Sequence, residues 1–368
     1  MQRPIPLPPL GDEPLVSVFI TNYNYARFVG EAIESVLAQT YRNLELIVVD
    51  DGSTDDSLKT IARYSGDPRI KVIEKSNGGM ASAWNEAYRH CRGEVIFPLD
   101  ADDVFYTRKI EVLIDALGRD ASAGLVVHAM TVRDGAGHDV QQIPFLSRFE
   151  QGWISDRVIA RGGRWRYMPT SALGFRRELA ALLFPVCEQT FFIHADALVV
   201  TLGPLLTHVV AVNEPLSYYR VHGANSLGGD VQDLKSAGKV IDFALATTRG
   251  VNARLNELGI DLRIDEGRNL EFLQAQFVHN LFDGTCMAVL IGRYFSLARA
   301  LLSDDLYRGT QKILGIMVYG IATILPRSLR AGWIGNALGY SRFKRAVQEM
   351  LRIIKSVIKP ISAPLARG

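Results

Sequence analysis

The sequence predicts an α/β fold, a mostly parallel sheet with helices on both faces, followed by a helical C-terminal region. Three observations carry this. Short β-branched runs alternate with amphipathic stretches from Leu15 to about Val132, which implies βαβ crossovers. Three of those runs end directly in clusters of polar residues. From Val231 onward the apolar spacing is helical to the end of the chain.

The elements follow in order. Val16-Ser-Val-Phe-Ile20 is a short strand. Apolar residues at 28, 29, 32, 33, 36 and 37 form one helical stripe. Leu44-Glu-Leu-Ile-Val-Val49 is the second strand and Ser57 to Tyr64 the second helix. Ile70 to Ile73 is a third strand, followed by a helix over about Gly79 to His90. Glu94-Val-Ile-Phe-Pro-Leu99 is the fourth strand, with a helix from about Thr107 to Leu117. Past Gly124 the order changes. A strand over Leu125 to Val132 leads into a loop region, about 135–168, rich in Gly, Arg and Trp. A helix near Ile193 to Leu202 and strands at Val209 to Val212 and Leu216 to Val221 complete the domain. The expected division is an extended leader over 1–14, an α/β domain over 15–228 and a helical region over 229–368.

Composition narrows the function classes. The 368 residues are 48% hydrophobic and 22% charged, which excludes disorder. Cys91, Cys187 and Cys286 are too few and too widely spaced for a disulfide scaffold, so a reduced, cytoplasmic setting is expected. Met1 to Pro14 holds five prolines and lacks the continuous apolar core of a signal peptide. No apolar run is long enough to span a bilayer; Ile313 to Leu325 suits a buried helix or an interfacial segment better.

The net charge of +2 conceals a split. Residues 306–368 carry eleven Lys and Arg and one acid, Glu349, a net of +10, so residues 1–305 carry −8. A basic tail on an acidic body seeks anions: phospholipid headgroups, nucleic acid or polyphosphates.

In open parallel sheets, ligands bind outside the carboxyl ends of the strands. Thr21-Asn-Tyr-Asn24 follows the first strand, Asp50-Asp-Gly-Ser-Thr-Asp55 the second and Asp100-Ala-Asp-Asp103 the fourth, so all three can converge. Three carboxylates in four residues repel one another unless a cation sits among them. Oxygen ligands of this kind suit Mg2+ or Mn2+, which also coordinate phosphate. The competing reading is a solvated turn in which Asp102 or Asp103 caps the next helix. In the second cluster Asp55 is explained as a helix cap. The double Asp is not, and one of its carboxylates could accept an N–H from a nucleotide base.

The succession SVFITNYN (17–24), LELIVVDDGSTDDS (44–57), NGGMASAWNEA (77–87) and GEVIFPLDADD (93–103) resembles the family 2 glycosyltransferases, which have the GT-A fold. The resemblance implies an inverting sugar transfer from a nucleotide-diphosphate sugar. It makes Asp51 the carboxylate that reads the base and the Thr21, Asn22, Tyr23 turn the other wall of the nucleotide pocket, with Asn77 close by. Asp100-Ala-Asp102 resembles the family's DXD motif, with Asp102 as the direct metal ligand, Asp100 near the ribose or the metal, and Asp103 sharing the ion. Trp84 stands where many relatives carry Arg. Downstream, Phe192-Ile-His-Ala-Asp196 lies where relatives carry their catalytic base, so that role falls to Asp196, although His194-Ala195 departs from the common Glu-Asp pattern. Glu214 to Ser226 resembles the family's strand and loop ending in Tyr-Arg-x-His. There His222 would ligate the metal or contact the diphosphate. Trp165, Tyr167, Pro169 and Ser171 lie where such enzymes bind the acceptor.

The expected mechanism is one in-line displacement at the anomeric carbon. Asp196 takes the proton of the acceptor hydroxyl, and the metal offsets charge on the departing diphosphate. The acceptor is expected to be a glycan or a lipid-linked hydroxyl. In the tail, Phe343, Val347, Met350, Leu351, Ile354, Val357 and Ile358 share one helical face while Lys344, Arg345, Arg352, Lys355 and Lys359 line others. A basic amphipathic helix reads as an element that lies on an anionic membrane surface, which implies a peripheral enzyme on the cytoplasmic face. No nucleic-acid motif accompanies the tail, so no nucleic acid partner is expected. The rival from another class is a non-catalytic, glycosyltransferase-like binding or scaffold subunit at the membrane, against which the intact acidic motif argues. Asp100-Ala-Asp-Asp-Val104 also fits a phosphatase nucleophile motif, but one that belongs after a first strand rather than a fourth.

Overall fold

Strand β1 (Val16–Asn22) is buried along nearly its whole length, because sheet neighbours and helices enclose it on every side. Its polar residues are satisfied from within the sheet. The Ser17 hydroxyl donates to Glu45 at 2.7 Å and accepts from the Gly93 N–H at 2.8 Å. The structure is a computed structural model that describes residues 3–134, 139–143, 149–222, 234–307 and 309–338.

Around β1 are β2 (Leu44–Asp50), β3 (Ile70–Glu74), β4 (Val95–Asp100), β5 (Val104–Phe105), β6 (Ala123–Asp134), β7 (Asp139–Ile143), β8 (Leu173–Arg176) and β9 (His208–Val221). The order across the sheet is β3-β2-β1-β4-β8-β6-β9-β5, with β7 beside β6. The expected parallel arrangement covers β3-β2-β1-β4, and β6 also runs parallel to β9. Between these blocks β8 is antiparallel to both β4 and β6, so the sheet is mixed. Helices α1 (Val29–Leu37), α2 (Ser57–Ile61), α3 (Met80–His90) and α4 (Lys109–Gly118) are the crossovers of the first half. Helices α5 (Ser155–Ala160), α6 (Arg177–Leu183) and α7 (Asp196–Leu206) follow. One apolar core joins Val18, Ile20, Ile33, Val48, Phe97 and Ile110.

Several local readings change. The region expected as a loop holds β7 and α5. The two strands expected at 209–212 and 216–221 are one strand, β9, whose register against β6 shifts between His128 and Met130. Pro215 falls in that irregular stretch, where its missing N–H is tolerated. The helix expected from Ile193 begins at Asp196 and runs to Leu206, buried from Ala197 onward. Its start puts Asp196 in the first turn.

Among the described residues the chain divides into two compact units, one within Met1–Ser226 and Leu245–Glu266, the other within Leu227–Ala244 and Gly267–Gly368. The helices after β9 are α8 (Leu234–Glu257), α9 (Leu270–Phe282), α10 (Met287–Ser303), α11 (Gly309–Ile324) and α12 (Arg327–Leu338). In the second unit Phe277, Leu281, Leu290, Leu297 and Tyr319 share a core. Asn269 caps α9, accepting from the N–H groups of Glu271 and Phe272. No helix among the described residues is long and apolar enough to cross a membrane. The amphipathic stretch 343–359 lies outside the described residues.

Candidate active site

The parallel register brings the three polar clusters to one edge. Asn22 pairs with Asp50, and Thr21 pairs with Asp100 on the other side. Residues far apart in sequence thus sit one strand spacing from each other, about 4.8 Å.

The first two turns are sewn together. Asp50 is buried, and its Oδ2 accepts from Asn22 Nδ2 at 2.7 Å and from the Ser53 hydroxyl at 2.7 Å. Asn24, at φ 60°, accepts the Thr54 N–H at 2.7 Å. Asp50 therefore shapes the turn, while Tyr23 is 47% exposed above it. Asp51 is buried as well. Its Oδ1 accepts from Lys75 Nζ at 2.6 Å and the Gly78 N–H at 3.0 Å, and its Oδ2 accepts the Gly79 N–H at 2.8 Å. Asn77 donates to the Asp51 carbonyl at 3.0 Å. Asp51 and Asn77 thus lock the loop before α3 to the end of β2. Gly79 has φ 83°, and a Cβ there would lie 2.6 Å from the Phe192 carbonyl oxygen. Only glycine fits. Trp84 is fully buried, edge-on to Phe19 and stacked with Phe184, so this position supplies a core side chain rather than a phosphate contact. Asn85 is bonded both ways to the Val186 backbone.

The acidic turn is gripped from β9. The Arg220 N–H donates to Asp103 Oδ1 at 3.0 Å and its Nε to the Asp102 carbonyl at 3.0 Å. Its guanidinium also pairs with Glu31 on α1. Two residues on, His222 Nε2 lies 2.9 Å from Asp102 Oδ2, within hydrogen-bond distance. The imidazole stacks on Phe28 and meets Tyr25 edge-on. Burial, followed by the charges of Asp102, Asp100 and Asp103, pushes the Tyr25 phenol up to about 12.

Asp196 joins this cluster from α7. Burial raises Asp100 well above the carboxylate range, and Asp103, Asp102 and Asp196 each raise it further. Burial likewise raises Asp196, against the pull of His194 and of the Thr170 hydroxyl. Next to Thr170, Ser171 accepts the Asp100 N–H at 3.1 Å.

Beneath the acidic turn lies a layer of buried polar groups. Burial and the Asp102 charge push Asp103 up to about 8, opposed by Ser171, the Arg220 N–H and Lys109. Lys109 is fully buried at the start of α4. Its Nζ donates to the Ser171 carbonyl at 2.6 Å and lies 3.2 Å from the centre of the Phe105 ring. Burial holds its ammonium well below the usual lysine range.

Of the residues named from sequence, Asp100, Asp102, Asp103, Asp196 and His222 gather at this edge, with Thr21 in register beside Asp100. Asp51 and Asn77 form a second group with the Gly78–Gly79 loop. Sequence reasoning did not single out Tyr25, Lys75, Lys109 or Thr170. None has a motif signal, since each becomes distinctive only through burial or through a partner far along the chain. Among the described residues no three His, Cys, Asp or Glu side chains are gathered tightly enough to hold an ion alone. The touching pair Asp102 and His222 does have the chemistry of a partial site. Mg2+ is commonly held by one or two carboxylates and completes its shell with substrate phosphates and water.

A mixed α/β sheet with an acidic turn at the carboxyl edge of its parallel strands has the architecture of a GT-A-like fold. The glycosyl transferase family 2 model matches residues 17–184. An uncharacterised glycosyltransferase of Nostoc sp. is 32% identical over 269 residues, covering 71% of this chain and 82% of its own. The chain belongs to glycosyltransferase family 2. Chondroitin synthase of Escherichia coli is 40% identical over 114 residues, which is 31% of this chain and 17% of that enzyme. The crystal structure of S. aureus TarS 1-349 shares the fold, with a TM-score of 0.51 at 17% identity over 91% of each chain.

Proposed function

We propose that the protein transfers a sugar, with inversion, from a UDP-, dTDP- or GDP-linked donor to a hydroxyl of a glycan or lipid-linked acceptor, in the synthesis of cell-surface polysaccharide or glycolipid. The observation that carries this is the closeness of Asp196, from the first turn of α7, to the acidic turn after β4, where its charge acts on Asp100. A carboxyl raised by burial is a stronger base than an exposed one.

In the proposed reaction the acceptor oxygen forms a bond to the anomeric carbon as the bond from that carbon to the diphosphate oxygen breaks. The electron pair leaves with the diphosphate. The hydroxyl proton passes to an Asp196 carboxylate oxygen. His194 and Thr170 favour the charged, proton-accepting form of Asp196 before the step. Asp102 and His222 would hold the divalent cation, Mn2+ or Mg2+, with Asp100 and Asp103 next to it. When bound, the cation supplies the charge that stabilises the departing diphosphate. The backbone and side chains of Thr21, Asn22, Tyr23, Asp51 and Asn77 would frame the nucleotide.

The test is hydrolysis and thermal shift over a panel of nucleotide sugars, with and without Mn2+. Turnover of one donor class that requires the cation is expected. Absence of both binding and turnover with every donor would overturn the proposal in favour of a non-catalytic subunit.

A further inference from the structure

The second unit carries apolar surface that its own core does not use. On α10, Met287, Ile291, Phe295 and Leu302 recur at helical spacing on one exposed stripe, whereas Leu290, Leu297 and Leu301 point into the core. Phe295 and Leu302 are 65% and 61% exposed, too open to serve as packing residues. On α11, Ile313, Met317 and Ile324 form a second stripe, with Ile324 79% exposed, while Val318, Tyr319 and Ala322 are buried on the other side. The only charged residue of α11 is Lys312 in its first turn, whose Nζ donates to the Leu302 carbonyl at 2.8 Å.

A helix that is apolar all round is ordinarily buried on all sides. Here α11 is covered on one side only. At 16 residues it is shorter than the roughly 20 needed to span a bilayer, which leaves a surface that lies against something. Charge selects what that is. From Leu306 to the C-terminus there are eleven basic residues and one acid, and Arg293 and Arg299 are exposed on α10 itself. A second copy of the chain would set this positive segment against another. An anionic surface would attract it, at about 1 kcal/mol per basic residue held near the headgroups.

We infer that the α10–α11 hairpin is a membrane-docking surface. Its two exposed apolar stripes enter the interfacial layer of an anionic bilayer, and the flanking arginines and the basic tail engage the headgroups. The inference is independent of the reaction proposed above, because it rests on the second unit alone.

The test is co-sedimentation of the full chain with vesicles of equimolar phosphatidylglycerol and phosphatidylcholine, and with phosphatidylcholine alone. Binding to the anionic vesicles is expected. The triple variant Phe295→Ser, Leu302→Ser, Ile324→Ser should bind them at least about tenfold more weakly. All three side chains are exposed, so its thermal unfolding and its binding of a nucleotide sugar should match the wild type. Wild-type affinity in the triple variant would overturn the inference, and so would no vesicle binding by the wild type. A wild-type dimer that the variant abolishes, without vesicle binding, would assign the stripes to a second copy instead.

Discussion

His222 Nε2 and Asp102 Oδ2 lie 2.9 Å apart although 120 residues separate them in the chain. The contact ties the end of β9 to the turn after β4, and Arg220 reinforces it by donating its N–H to Asp103 Oδ1 and its Nε to the Asp102 carbonyl. Replacing His222 with Ala removes one of two touching side chains with ligand chemistry while leaving Arg220 in place. The expected result is a loss of about 10–100-fold in Mn2+ affinity with little change in folding stability. Titration calorimetry with Mn2+ in the presence of nucleoside diphosphate, alongside a melting curve, measures both.

Asp196→Asn retains the shape of the first turn of α7 but cannot accept a proton. Transfer should fall by about 10²–10⁴-fold while nucleotide binding is kept. In the wild type, burial raises the Asp196 carboxyl. Its base form is therefore lost at a higher pH than for an ordinary carboxylate, about 3.9, as pH falls. The acid limb of the rate profile should sit above that value. A profile that is flat down to the ordinary carboxylate range would remove Asp196 from the role of base.

Gly79→Ala places a methyl group 2.6 Å from the Phe192 carbonyl oxygen at a φ of 83°. The same residue donates its N–H to Asp51, so strain there is transmitted to the loop that Asp51 pins. A stability loss of about 1–3 kcal/mol is expected, together with weaker nucleotide binding. Urea denaturation and nucleotide titration check the two effects separately.

His128 is fully buried in β6, with Nδ1 bonded to the Ala129 carbonyl at 2.6 Å. Burial, aided by the nearby Lys109, depresses the imidazole well below its usual range. The folded state thus holds a neutral ring that the unfolded state protonates near pH ~6.5. Its contribution to stability is present above that pH and is lost as pH falls below it, by up to about 1.4 kcal/mol per pH unit. His128→Asn cannot take up that proton. Its stability should decline less steeply between about pH 7 and 5 in denaturant titrations; parallel slopes would show that His128 does not carry the effect.

Much of the fold is legible in the residues because parallel strands enclosed on both faces must be apolar throughout. Val16 to Ile20 and Leu44 to Val49 read as strands for that reason, and each is followed by polar residues where the sheet opens. Strand β8 was not legible. Its four residues, Leu-Gly-Phe-Arg, carry no periodicity, and Gly174 is needed there because the Phe97 ring and a Val126 methyl press against it. Lys109, within the helix expected from about Thr107 to Leu117, carries no motif signal. Its burial over Phe105 and below Ser171 depends on three elements brought together by the sheet order.

By itself, the sequence determined the alternation of strands and helices, the three polar clusters at the carboxyl ends and the split between an acidic body and a basic tail. These follow from local patterning, since side-chain periodicity and strand-end chemistry are written within a few residues of each other. Only the tertiary structure decided that Asp51 is tied to Lys75 and the Gly78–Gly79 loop, that Asp196 comes close enough to Asp100 for their charges to interact, that Trp84 belongs to the core, and that α10 and α11 leave apolar stripes uncovered. Each of these depends on partners distant in the chain or on the solvent exposure of a face, and neither property is encoded in local spacing.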